Sequence, residues 1–170
     1  TMVVQRAEAS MSRINEFLNF ESEIVEGIET KHEIEGTIEF KNVTFVYENT
    51  GIKALSNVSF KLNKGETLAI LGKTGSGKST IALLIARSLE PTSGEILIDG
   101  KNIHDLSVES IRNEIGYVPQ EAFLFSDSLT NNILFGSDET TELIAEKFAK
   151  KAVVHENIDK FKERYETVVG

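Results

Sequence analysis

A chain of 170 residues with 40% hydrophobic and 26% charged residues has the composition of a folded globular protein, which excludes a disordered one. Its net charge of −9 lacks the lysine and arginine surplus that a broad nucleic-acid-binding face needs, and zero cysteines exclude disulfides and thiolate metal sites. No stretch approaches the roughly 20 apolar residues that cross a bilayer, and no signal-peptide pattern opens the sequence.

In chain order, Val4, Ala7, Met11, Ile14 and Leu18 recur at the spacing of one helical face and predict an N-terminal helix. Six glutamates then fall between Glu21 and Glu35, which reads as a solvated linker with a domain boundary near Gly36. From Thr37 the period becomes two: Ile38 and Phe40, then Val43, Phe45 and Tyr47, with a phase slip at Asn42 that predicts a bulge. Val58, Phe60 and Leu62 alternate again. The Asn63-Lys64-Gly65 turn delivers the chain to Thr67–Leu71 (TLAIL), a continuous apolar run expected to be a strand buried on both faces.

A compact apolar helix is predicted over Ile81–Leu89, stopped by Pro91 and Gly94, and a short strand at Ile96 and Ile98 ends in an Asp99-Gly100 turn. Ser107 caps a short helix through Arg112, and Ile115–Val118 is a further strand halted by Pro119. Beyond Gln120 the pattern is helical, with Ile144, Phe148 and Ala152 on one face and Ile158, Phe161 and Tyr165 on another. His32, His104 and His155 have no ligand spacing and read as surface residues, and Asp99 reads as a turn residue.

The chemistry concentrates in GKTGSGKST, Gly72 to Thr80, which satisfies G-x-x-x-x-G-K-[ST] at Gly72, Gly77, Lys78 and Ser79 in a strand-to-helix setting. Glycines let backbone N–H groups converge on anionic oxygens, and the following helix points its positive end at the same place. Lys78 supplies a point charge for β- and γ-phosphates, and the Ser79 hydroxyl suits Mg²⁺. A tight turn alone would not need this combination. A GTPase would need Asn-Lys-x-Asp; the nearest stretch, Asn63-Lys64-Gly65-Glu66, precedes the loop and lacks the aspartate.

Three stretches carry a resemblance. They are TIEFKNVTFVYENTGIKALSNVSFKLNKGETLAILGKTGSGKST, PTSGEILIDG and IRNEIGYVPQEAFLFSDSLTNNILFG, and together they resemble the nucleotide-binding domain of ABC transporters of the exporter type. QRAEASMSRINEFL also resembles the end of the last transmembrane helix and the linker of exporter half-transporters. The resemblance implies an α/β fold: a P-loop NTPase core with an N-terminal antiparallel β layer and a partial α-helical subdomain. It divides the chain into a linker over residues 1–35 and the N-terminal part of an ATP-binding domain over residues 36–170. Tyr165–Gly170 resembles the segment before the family's signature, so the domain is expected to be incomplete, without signature or second acidic motif.

Its further implications are ATP and Mg²⁺ as cofactors, and ATP binding and hydrolysis coupled to export. The nucleotide set is Tyr47, Gly72, Thr74, Gly75, Ser76, Gly77, Lys78, Ser79 and Thr80, with Ser79 and Gln120 at the metal. Tyr47 matches the aromatic that stacks on adenine, or else is a strand-end core tyrosine. If it stacks, its ring supplies most of the contact and Tyr47→Phe is expected to be nearly neutral. Gln120 matches the catalytic-site glutamine that reaches Mg²⁺ or the attacking water; without its Tyr117-Val118-Pro119 context it would read as an exposed loop residue.

Phe123 and Phe125 suit either a docking groove for a membrane-domain helix or the local core. The implied partners are the transmembrane domain of the same transporter and a second nucleotide-binding domain, and no nucleic acid. The implied location is the cytoplasmic face of a membrane, the inner membrane if bacterial. With no catalytic base in view, residues 1–170 alone are expected to bind ATP without turnover. The alternatives are a non-hydrolysing half of an asymmetric pair and a soluble ABC-type ATPase.

Overall fold

The computed structural model describes residues 2–19, 24, 27, 34–121, 123–138 and 141–170, which group into two compact units, Thr1–Tyr117 and Val118–Gly170. The glutamates from Glu21 to Glu33, and His32, lie outside the described residues.

The first unit opens with the predicted helix, α1 (Met2–Leu18), whose residues from Gln5 onward are all exposed, Met11, Ile14 and Leu18 among them. Next come strands β1 (Ile38–Tyr47) and β2 (Ile52–Leu62), helix α2 (Lys78–Ile85), strands β3 (Ser93–Ile98) and β4 (Lys101–Asn102), and helix α3 (Val108–Glu114). The four strands form one antiparallel sheet in the order β2-β1-β3-β4. Phe40 on β1 stands opposite Phe60 on β2, and their rings stack at 4.5 Å, a cross-strand pair of the kind that holds a register. The slip at Asn42 is real: the pairing jumps from Phe40 to Val43, Asn42 takes φ +51°, and its N–H donates to Ser59 Oγ at 2.8 Å.

Phe40, Val43, Phe45, Ile96 and Ile98 bury one face of this sheet, and Ile81 and Leu84 bring α2 into the same core. Arg87, at φ +47°, ends that helix, and its own guanidinium is 1% exposed. It donates to Leu106 O at 3.0 Å and to Glu90 Oε1 at 2.8 and 3.1 Å, and Arg112 donates to the carbonyls of Ala86 and Arg87. A buried charge is tolerated only when paired and hydrogen-bonded, and these contacts also satisfy carbonyls that a helix end leaves open. The C-terminal end of α2 is thereby anchored.

Two expected strands are not found. Thr67–Leu71 and Ile115–Val118 are not strands, and neither has a place in the sheet. Leu68, Ile70 and Leu71 are 44%, 40% and 93% exposed, the reverse of burial on both faces. A strand needs a neighbour to complete its backbone hydrogen bonds and layers to cover its faces. Among the described residues neither segment has a paired strand.

The second unit holds strand β5 (Asp127–Ser128), helices α4 (Leu129–Ile133), α5 (Glu142–Lys151) and α6 (His155–Ile158), a 3-10 turn at Arg164–Glu166 and strand β6 (Val168–Val169), which pairs with β5. Its core is Leu134, Ala145, Ala149, Ile158 and Tyr165. On α5 the buried pair is Ala145 and Ala149; of the predicted face, Ile144 is half-buried against the same core while Phe148 and Ala152 are exposed, so the prediction holds only in part. Two alanines four apart lie on one stripe of the helix, and that stripe faces the core.

Candidate functional site

The loop from Gly72 to Gly77 ends directly on α2. Gly77 is the N-cap residue at φ +85°, and a Cβ there would lie 2.3 Å from Ala54 O and 3.0 Å from Leu55 Cδ2. Both conditions demand glycine. No side chain caps the helix, so its leading N–H groups carry no side-chain partner and remain suited to an anion. A Cβ at Gly72 would sit 2.5 Å from Ser76 Oγ, so the loop closes tightly on itself there too.

Lys78 reaches back over this loop. Its Nζ donates to Gly72 O at 2.9 Å and to Lys73 O at 2.7 Å, which fixes the ammonium above the loop backbone. Thr74, Gly75, Ser76 and Ser79 are exposed, so the candidate donors and the Ser79 hydroxyl face solvent.

Tyr47, the last residue of β1, joins this group. Its ring is half-buried and edge-on to Phe45, with centroids 4.8 Å apart at 87°. Its hydroxyl lies 3.2 Å from Thr80 Oγ1 on the first turn of α2, and Thr80 is 4% exposed. The ring packs against the sheet core, and its hydroxyl touches the helix that carries Lys78 and Ser79. Tyr47 thus packs at the strand end as a partly buried core tyrosine, beside the helix turn that carries Lys78 and Ser79.

Gln120 lies in the second unit, exposed in a bend after Pro119. Phe123 and Phe125 are 76% and 43% exposed and form a patch with Phe135: Phe125 stacks on Phe135 at 4.5 Å and meets Phe123 edge-on at 5.0 Å. Asn132 pins this segment, accepting from Phe125 N at 2.8 Å and donating to Phe125 O at 3.0 Å. The cluster is exposed and held by the Asn132 side chain, so it is not part of the local core.

Asp99 is structural, as its turn position suggests. At φ +51° its carboxylate accepts the N–H groups of Glu35, Gly36 and Thr37 at 2.7, 3.1 and 2.8 Å. Asn63 and Glu66, the near-match to a guanine-reading motif, close a turn instead, with Asn63 N donating to Glu66 Oε2 at 2.7 Å.

His155 departs from the surface reading. Its Nδ1 is 2.8 Å from the hydroxyl of buried Tyr165 and its Nε2 is 3.4 Å from Asp159. Tyr165 has its phenol pushed up by burial. His104 is half-exposed, its Nδ1 3.3 Å from Glu90 Oε2. The Arg87–Glu90 pair and the Tyr47–Thr80 bond were not legible in the sequence. Arg87 is a lone charge within a stretch predicted to be apolar helix, and Glu90 three residues on was the one signal in the sequence that could have marked the pair.

Comparison with known proteins fits this geometry. The family model described as ABC transporter matches residues 55–167. The chain is 44% identical over 169 residues to "Uncharacterized ABC transporter ATP-binding protein YfiB" of Bacillus subtilis (strain 168), covering 99% of this chain and 30% of that protein. It is 38% identical over 169 residues to the ATP-dependent lipid A-core flippase of Pasteurella multocida (strain Pm70), covering 98% of this chain and 29% of the relative. A solved structure of a bacterial Atm1-family ABC exporter with ATP bound matches at TM-score 0.88 and 31% identity, over 98% of this chain and 30% of that one. The chain thus spans under a third of the proteins that it matches.

Proposed function

The chain belongs to the ABC transporter family, and from that we propose that residues 36–170 are the ATP-binding part of a transporter coupling ATP binding and hydrolysis to export across a membrane. The observation that carries this reading is the loop at α2: a glycine turn whose Gly77 leaves no room for a Cβ, an uncapped helix N-terminus, and a lysine ammonium held over the backbone. That donor set fits a nucleoside triphosphate.

The backbone N–H groups of Gly72 to Gly77 and the start of α2 would hold phosphate oxygens, and Lys78 would exchange carbonyl partners for β- and γ-oxygens. Ser79 would hold Mg²⁺, which when bound supplies charge neutralisation at the phosphates. Thr80 belongs to the same turn. Tyr47 would stack on the base, and Gln120 would reach the metal or the attacking water. None of these residues is a carboxylate, so the chain's share of catalysis is positioning and charge, and residues 1–170 alone bind ATP without turnover.

Residues 1–35 would link the domain to a transmembrane domain on whose cytoplasmic face it sits. The Phe123–Phe125–Phe135 patch is the surface best suited to that partner. A second nucleotide-binding domain would complete the site. The test is ATP hydrolysis by the full-length polypeptide in lipid vesicles. Magnesium-dependent turnover that is lost in Lys78→Ala supports the reading, and ATP binding with no turnover would select the non-hydrolysing half of an asymmetric pair instead.

A further inference from the structure

Tyr47 and Thr80 are 33 residues apart, yet their hydroxyls lie 3.2 Å apart and share a hydrogen bond. The two sides of that bond differ in freedom. Thr80 is 4% exposed on a helix whose next residues, Ile81 and Leu84, are in the core, so its hydroxyl is a fixed point. Tyr47 ends its strand and is only half-buried, and a ring there can turn about two side-chain torsions. Two contacts limit that turning: the edge-on packing against Phe45 and the bond to Thr80.

We propose that Thr80 is a positioning residue for Tyr47, holding the ring in one orientation against the helix turn that carries Lys78 and Ser79. The proposal rests on the reading that Tyr47 stacks on the base. Stacking requires one ring orientation, and a ring already held there loses less freedom when the nucleotide arrives. Base recognition and phosphate binding are then tied to the same turn of α2. Phenylalanine keeps the ring and loses the tether, so Tyr47→Phe is not neutral, contrary to the expectation from ring contact alone.

The test is a double-mutant cycle in the full-length polypeptide. Binding of ATP and of inorganic tripolyphosphate, which has phosphates and no base, is read by displacement of a fluorescent ATP analogue. Tyr47→Phe and Thr80→Val should each weaken ATP binding about two- to tenfold, the range of one neutral hydrogen bond. The double variant should be no weaker than the weaker single one, Thr80→Ser should restore affinity, and tripolyphosphate should lose much less than ATP.

Wild-type ATP affinity in both single variants would overturn the proposal, as would full additivity in the double variant. Equal losses for ATP and tripolyphosphate in Thr80→Val would overturn it too, making Thr80 a phosphate contact. Tyr47→Ala separates the two levels. If it binds ATP like wild type, the stacking reading itself fails; if it is weak while Tyr47→Phe is wild-type, only the positioning role fails.

Discussion

Gly77 shows how much one residue can decide. Its φ of +85° costs an L-residue roughly 1–2 kcal/mol, and a Cβ would collide with the carbonyl of Ala54 besides. Gly77→Ala is therefore expected to lower the melting temperature and abolish measurable ATP binding together, since the loop must shift to admit the methyl group. Ser79→Ala should behave differently: it is exposed, so stability should hold while the gain in ATP affinity on adding Mg²⁺ shrinks. Titrations with and without Mg²⁺ check this, and equal losses in both would contradict the metal role. The loop itself was legible because its motif lies within nine consecutive positions and leads straight into α2. The bond from Tyr47 to Thr80 was not, because it depends on where the end of β1 meets α2, which local spacing does not encode.

Among elements, what could be foreseen divides by whether an element completes itself. The Asn42 bulge and the Ser107 cap, which accepts from Ser110 N at 3.0 Å, were visible because neighbouring residues define them. Thr67–Leu71 was misjudged because apolarity marks a segment that can be buried, while a strand exists only beside a partner. On α5 only Ile144 of the expected face packs against the core, because the buried stripe runs one residue along, through Ala145 and Ala149.

The helical elements also carry a pH dependence. Glu146 is held below its ordinary 4.5 by the hydrogen bond and charge of Lys150, and Asp159 below its ordinary 3.8 mainly by the hydrogen bond from Arg164. Depressed carboxylates contribute stability that is fully present above their unfolded values and lost as pH falls through the folded ones. Both groups are solvent-facing, so salt should weaken the effect. Acid titration of helical circular dichroism should show the second unit loosening below about pH 4, with a shallower dependence in Asp159→Asn. An unchanged profile in that variant would contradict the assignment.

For the whole molecule, a sheet with helices α2 and α3 in its core presents a glycine loop, and a second unit presents Gln120 and an aromatic patch. In the function proposed above, the loop would serve the nucleotide and the patch a membrane-embedded partner. The central claim is that the loop at α2 binds ATP through Lys78, and calorimetric titration of the full-length polypeptide with Mg-ATP tests it most directly. Charge-assisted hydrogen bonds are worth roughly 1.5–3 kcal/mol, so Lys78→Ala should bind at least about tenfold more weakly than wild type while keeping its fold by circular dichroism. A folded Lys78→Ala variant that binds Mg-ATP as tightly as wild type would contradict the account.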